Sequence, residues 1–241
     1  MSTGTHDPCG PALRVGAIHT VGTLVPVFGE LAGDLLPGAT LTDVVDESLL
    51  GDAIAAGVLT PEIEDRLAGH VRSLIDHGVD AVLVTCSSLG AAVDRLARLA
   101  PVPLLRVDAA MADAAVRDGT KIGVLATLST TMAPTVDLIR HRAHDAGADV
   151  QVVSYLCDGA FAALKAGEVH RHDELVRAGL RALEPEVDLV ALAQASMARV
   201  LLADDVESRV PIMTSPRLAV ERLARLLGEA GPDSRTEKES P

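Results

Sequence analysis

The chain has 241 residues, a net charge of −13, no Trp, one Tyr and two Phe. That balance excludes nucleic-acid binding, which draws on basic stripes for counterion release and aromatic faces for base stacking. No apolar run approaches the roughly 18–20 residues of a membrane span, and MSTGTHDPCGPA lacks the basic start and apolar segment of a leader, so a soluble, cytoplasmic protein with no membrane partner is expected.

In chain order, residues 1–12 read as a disordered arm in which Cys9 is inert, and residues 229–241 as a disordered tail. Between them LRVGAI, ATLTDVV, DAVLVTC, VPLLRV, KIGVLAT, DVQVVSYL, DLVALA and VPIMT are short, mostly β-branched runs without strict alternation, as strands buried on both faces would be. Helical segments separate them. In PEIEDRLAGHVRSLIDHG, Pro61 follows Thr60 as a first helical residue follows its cap, and Gly78 stands where a helix stops. Strands alternating with helices imply parallel sheets with crossover helices.

The chain also repeats itself. RVGAIHTVGT (14–23) is echoed by KIGVLATLST (121–130), VVDESLLGDAIAAG from Val44 by VVSYLCDGAFAALKAG from Val152, VDAVLVTCSS from Val79 by VDLVALAQAS from Val187, and VPLL at Val102 by VPIM at Val210. Matches in one order at nearly one spacing indicate a duplicated half-domain. The expected fold class is α/β, with two pseudosymmetric doubly wound parallel-sheet lobes: residues 13–105 plus 212–228, and residues 106–211. On this reading the last strand, VPIMT, returns to complete the first lobe.

In such sheets a ligand lies beyond the carboxyl ends of the strands. Four segments fall there: His19-Thr20, Ala126-Thr127, Cys86-Ser87-Ser88 and Gln194-Ala195-Ser196. Within the repeat Thr20 pairs with Thr127, Thr23 with Thr130 and Ser88 with Ser196, whereas Cys86 faces Gln194. A thiol at a strand end that opens a helix sees unpaired N–H groups, which lower its pKa and make it a base or nucleophile. The other reading of Cys86 is a small buried apolar residue. Ser87 and Ser88 favour the first, because hydroxyls beside helix-start amides form an anion pocket. Thr20, Thr23, Thr127 and Thr130 fit helix caps, and capping is compatible with holding a carboxylate. His19 either tunes the thiol or is an ordinary hydrogen-bonded histidine, and Cys157 reads as structural.

The three cysteines are free thiols by number and spacing. His141 with His144, and His170 with His172, lack acidic or thiol ligands at a recognised spacing, so no metal is expected. No glycine-rich dinucleotide or phosphate loop and no serine-hydrolase elbow occurs, so no cofactor is expected either.

From about Arg14 to Arg225 the chain resembles the aspartate/glutamate/hydantoin racemase superfamily. Cys86-Ser87-Ser88 looks like the family's first Cys-Asn-Thr motif, Ala126-Thr127-Leu128-Ser129-Thr130 resembles its Ala-Thr-x-Gly-Thr loop, and Ala166-Gly167 through His172-Asp173-Glu174-Leu175 is similar to a segment common in the family. The resemblance implies two lobes with the active site between them, no cofactor, and commonly one cysteine from each lobe. Where the second cysteine belongs by this resemblance, the chain has Gln194. A carboxamide does not titrate near neutrality and can neither remove nor deliver a proton.

The function expected is therefore a cofactor-independent isomerase or lyase (racemase, cis-trans isomerase or decarboxylase type) acting on a small carboxylate through the single thiol of Cys86. His19, Thr20, Ser87, Ser88, Thr127, Thr130, Gln194, Ala195 and Ser196 would bind the substrate. The alternative is a catalytically degenerate protein of the same fold that binds or senses a carboxylate. A homodimer is the ordinary expectation for an enzyme of this size.

Overall fold

RVGAIH is apolar at nearly every position, and as strand Arg14–His19 (β1) it takes the centre of the first sheet with all but its first residue buried. Thr40–Val45 (β2) and Ala81–Val84 (β3) flank it, and Leu104–Arg106 (β4) closes a parallel sheet of order β2-β1-β3-β4. Lys121–Ala126 (β5), Gln151–Leu156 (β6), Leu189–Leu192 (β7) and Ile212–Thr214 (β8) repeat it as β6-β5-β7-β8. This is a computed structural model describing residues 13–202 and 208–229; the arm with Cys9 and the tail beyond residue 229 lie outside the described residues.

The helices are Leu24–Leu35 (α1), Glu47–Ala56 (α2), Pro61–Asp76 (α3), Gly90–Ala97 (α4), Ala109–Asp118 (α5), Ser129–Ala146 (α6), Ala160–Lys165 (α7), Val169–Leu183 (α8) and Ser215–Glu229 (α9). α3 starts at Pro61 after Thr60, and Gly78 just beyond its end has φ +82°, the left-handed conformation that glycine adopts without strain. Among the described residues no helix is long and apolar enough to cross a membrane.

The duplication extends to single hydrogen bonds. Arg14 N donates to Asp80 Oδ2 at 2.9 Å, and Lys121 N to Asp188 Oδ2 at 2.8 Å. Thr85 N donates to Ile18 O and Ala193 N to Leu125 O, both at 2.9 Å. Each lobe buries apolar side chains on both faces of its sheet. The lobes meet through apolar contacts, with Leu128 and Phe161 against the first lobe's core and Ala195 inside it.

Two expectations are corrected. β8 does not return to the first lobe: it pairs with β7 as β4 pairs with β3, which spares β7 an unpaired edge. Only α9 crosses back, because its stripe Ala219, Val220, Leu223 and Leu227 completes the core around Val15, Leu24 and Phe28. Second, β2 and β6 are not buried on both faces. Each is the outermost strand of its sheet, and Val45, Tyr155 and Leu156 are exposed there.

Candidate active site

Two residues past the end of β3 the chain reaches Cys86, still extended at φ −118° and ψ 111°, and then tightens into a 3₁₀ turn, Ser87–Leu89, that leads into α4. Thr85 N holds the chain to the sheet up to that point, and serines with low strand propensity let it turn. Gln194 follows β7 by the same step and opens a second 3₁₀ segment, Ala195–Leu202. Leu89 N returns to Cys86 O at 3.2 Å and Met197 N to Gln194 O at 3.0 Å, so the two turns are built alike.

Both residues line one cavity between the lobes, together with Thr20, Ser87, Ser88, Ala195 and Ser196 from the expected set. Its volume is about 30 Å³, room for about two waters. A molecule of several heavy atoms fits only if the walls move apart. Across this gap Ser88 Oγ and Thr131 Oγ1 share a hydrogen bond of 2.7 Å, a latch from one lobe to the other.

Burial pushes the Cys86 thiol above its ordinary value. The Thr20 hydroxyl, the amides of Ser88 and Leu89 and the Ser88 hydroxyl hydrogen-bond to the sulfur and oppose that shift without overcoming it. This corrects the expectation of a depressed pKa: a turn of three residues supplies too few amides to offset full desolvation. Next along the chain, the buried Ser87 Oγ has no hydrogen-bond partner.

Gln194 is fixed from its own lobe. Thr127 N donates to Oε1 at 2.6 Å and Thr127 Oγ1 donates to the same oxygen at 2.8 Å. A backbone N–H can only donate, so the atom facing it is the carboxamide oxygen, and the –NH₂ is the other end of the amide. Thr127 thus acts on the site through Gln194 and does not line the cavity.

Other expected residues lie elsewhere. His19 is fully buried behind the site, with Nε2 at 2.9 Å from Asp43 Oδ1 and Nδ1 at 3.0 Å from Thr85 Oγ1. The carboxylate can only accept, so Nε2 carries a proton, and the ring ties β1 to β2 and to the end of β3 while resting on Phe28. It does not line the cavity. Thr130 is also absent from the lining, its buried hydroxyl unpartnered. Thr131, next along α6, takes that place, because one residue turns a helix by about 100°. Nor do the threonines cap: Thr23 occupies the cap of α1 without a side-chain bond, and Leu128 precedes α6. Cys157 is packed in the second lobe's core, where burial raises its thiol to about 11. Among the described residues no three His, Cys, Asp or Glu side chains converge as metal ligands.

Sequence reasoning missed Thr85, Val21, Leu24, Leu50, Thr131 and Phe161, which complete the cavity. Leu50 and Phe161 come from α2 and α7, the helices after the two edge strands. The repeat places those helices in pseudosymmetric positions, which was the available signal.

No curated protein matches the chain in sequence. Among solved structures it is similar to the glutamate racemase of Francisella tularensis in complex with D-glutamate, at 18% identity and TM-score 0.68 over 90% of this chain and 82% of that one. A glutamate racemase isoform of Bacillus anthracis gives 18% and 0.67 over 91% and 83%. The allantoin racemase of Klebsiella pneumoniae gives 18% and 0.62 over 91% and 89%. At such identities the likeness is one of fold, two parallel four-stranded sheets in an α/β arrangement. The sequence profile of Asp/Glu/Hydantoin racemases matches residues 23–223, and with the duplicated lobes and the cleft between them this makes the chain a member of the Asp/Glu/hydantoin racemase family.

Proposed function

We propose that this protein is an isomerase or lyase acting on a small carboxylate by one-sided proton transfer, with Cys86 as its proton carrier. The observation that carries the reading is the asymmetry of a shared cavity: Cys86 lines it from one lobe, and at the matching position of the other stands Gln194, with its oxygen committed to Thr127. One wall therefore offers a thiol and the other an N–H donor.

Burial keeps the resting thiol neutral, the form that donates a proton. Facing an enediolate at the substrate's α-carbon, Cys86 forms the new C–H bond as its S–H bond breaks, and the thiolate left behind recovers a proton from water. The enediolate arises either by loss of carbon dioxide from a second carboxylate or by transfer of the α-proton to the thiolate form of Cys86, which then returns a proton to the same face. Ser87 Oγ, free of partners, and the Gln194 –NH₂ stabilise the developing oxyanion by hydrogen bonds. No cofactor takes part in these steps.

The test is deuterium incorporation at the α-carbon from heavy water across a panel of small carboxylates, followed by proton NMR. The wild type should label at least one acid, and Cys86→Ala should abolish the labelling. Equal labelling by Cys86→Ala would remove the thiol from the mechanism.

A second reading, a carboxylate-binding protein without turnover, draws on the same neutral, enclosed thiol. It requires saturable binding of a carboxylate with no Cys86-dependent exchange on any acid of the panel.

A further inference from the structure

The cavity walls carry almost no charge. Among the described residues that line it, Cys86 is the only one with a titratable side chain, and none is Asp, Glu, Lys, Arg or His. The acidic groups in and just after β2 are engaged elsewhere. Asp43 holds the His19 ring, Asp46 accepts from Ser48 and His70 beside Arg66, and Glu47 accepts from the Gly22 amide at 3.0 Å. The polar groups that remain are hydroxyls and an amide, with the partnerless buried Ser87 Oγ among them. The rest of the wall is apolar: Val21, Leu24, Leu50 and Phe161.

An amino acid brings an ammonium group as well as a carboxylate. Enclosed in this cavity, the ammonium would lose water and meet no carboxylate, the arrangement that buried charges avoid. A carboxylate is better served, since hydroxyl and amide hydrogens can replace its water. The apolar residues in turn reward a hydrocarbon substituent in proportion to the area it covers.

We infer that the ligand of this cavity is a small carboxylate that carries no ammonium group and whose substituent is apolar, so that free aspartate and glutamate are excluded. The inference rests on the proposed function only in placing the ligand at this cavity; it concerns what binds, not what Cys86 does to it.

The experiment compares matched probes on the full chain by titration calorimetry. 3-Methylbutanoate and valine differ by one ammonium group on the same skeleton, and aspartate adds a second carboxylate. The expected result is that 3-methylbutanoate binds at least about tenfold more tightly than valine, with no measurable binding of aspartate. Placing a carboxylate in the wall by Ser196→Asp, or by Thr20→Asp should the first variant not fold, should reverse the order by weakening 3-methylbutanoate and tightening valine. Valine or aspartate binding as tightly as 3-methylbutanoate to the wild type would overturn the inference, as would no binding of any of the three. Loss of Cys86-dependent exchange with the binding order preserved would sink the proposed chemistry and leave the ligand class standing. Cys86-dependent exchange on aspartate would do the reverse.

Discussion

Gly90→Ala should destabilise the protein through one neighbour, and a mutant cycle can isolate that neighbour. A Cβ at Gly90 would fall on the Arg106 guanidinium, 2.7 Å from Nε and closer still to Nη2 and Cζ. Arg106 cannot simply swing away. It is buried, donates from Nε at 2.6 Å and from Nη2 at 2.9 Å to the fully buried Asp108, and from Nη1 at 2.5 Å to Asp94. Expelling it strands the Asp108 carboxylate, which costs about 3–5 kcal/mol. Alanine in place of glycine at a helix start returns less than about 1 kcal/mol. The net loss should be about 2–4 kcal/mol, read from urea unfolding midpoints at constant slope. Gly33→Ala in α1, where nothing lies within 4 Å, should be neutral or stabilising by up to about 1 kcal/mol. On an Arg106→Ala background the Gly90→Ala change should then cost almost nothing. Additive losses in the double variant would refute the argument. Because Gly90 directly follows the turn that presents amides to Cys86, the same variant should also loosen the site.

Two further outcomes follow from the thiols. Since burial raises Cys86, its alkylation by iodoacetamide should be slower than that of a free thiol at pH 7 and should still be climbing with pH where a free thiol's rate has levelled off, measured by mass spectrometry at that peptide; fast labelling at neutral pH would contradict the buried thiol. Cys157 is raised from 9.0 to about 11, so its neutral form's contribution to stability is complete below pH 9 and is lost as pH climbs through 11. The slope has a ceiling of about 1.4 kcal/mol per pH unit, reduced by solvent screening to roughly 1 kcal/mol per pH unit. Urea unfolding at pH 8 and pH 10.5 should therefore show the gap between wild type and Cys157→Ala narrowing at the higher pH, and a constant gap would contradict that account.

The strands were legible because they are short β-branched runs separated by segments of helical length, a combination that distinguishes them from buried helix. The error over β8 had its remedy in the sequence, since VPIM repeats VPLL, and β4 and β8 sit at the same place in their sheets. The faces of side chains were harder to read. His19 and Thr20 are adjacent at the end of an extended strand, where successive side chains point to opposite sides. One can face the cleft, and the packing of Phe28 and Asp43 decides that it is Thr20. Thr130 and Thr131 pose the same question on a helix, and the answer depends on where α6 begins. The thiol's shift was beyond local reading, because it is set by how completely the folded chain buries Cys86.

The hydrogen bonds around the two strand ends lead to a last prediction. In the first lobe the hydroxyl of Thr20 hydrogen-bonds to the sulfur of Cys86. In the second, its repeat partner Thr127 does the same for the oxygen of Gln194. The scaffold is thus alike on both walls and only the atom it holds differs. Gln194→Cys should place a second thiol under the Thr127 hydroxyl and amide without disturbing β7 or the turn after it. A proton carrier would then stand on each wall, and an acid that the wild type labels on one face only should be racemised by the variant, followed by chiral chromatography in heavy water. Exchange that stays confined to one face, in a variant whose new thiol is present and whose fold is intact by circular dichroism, would show that the two walls do not address opposite faces of one carbon.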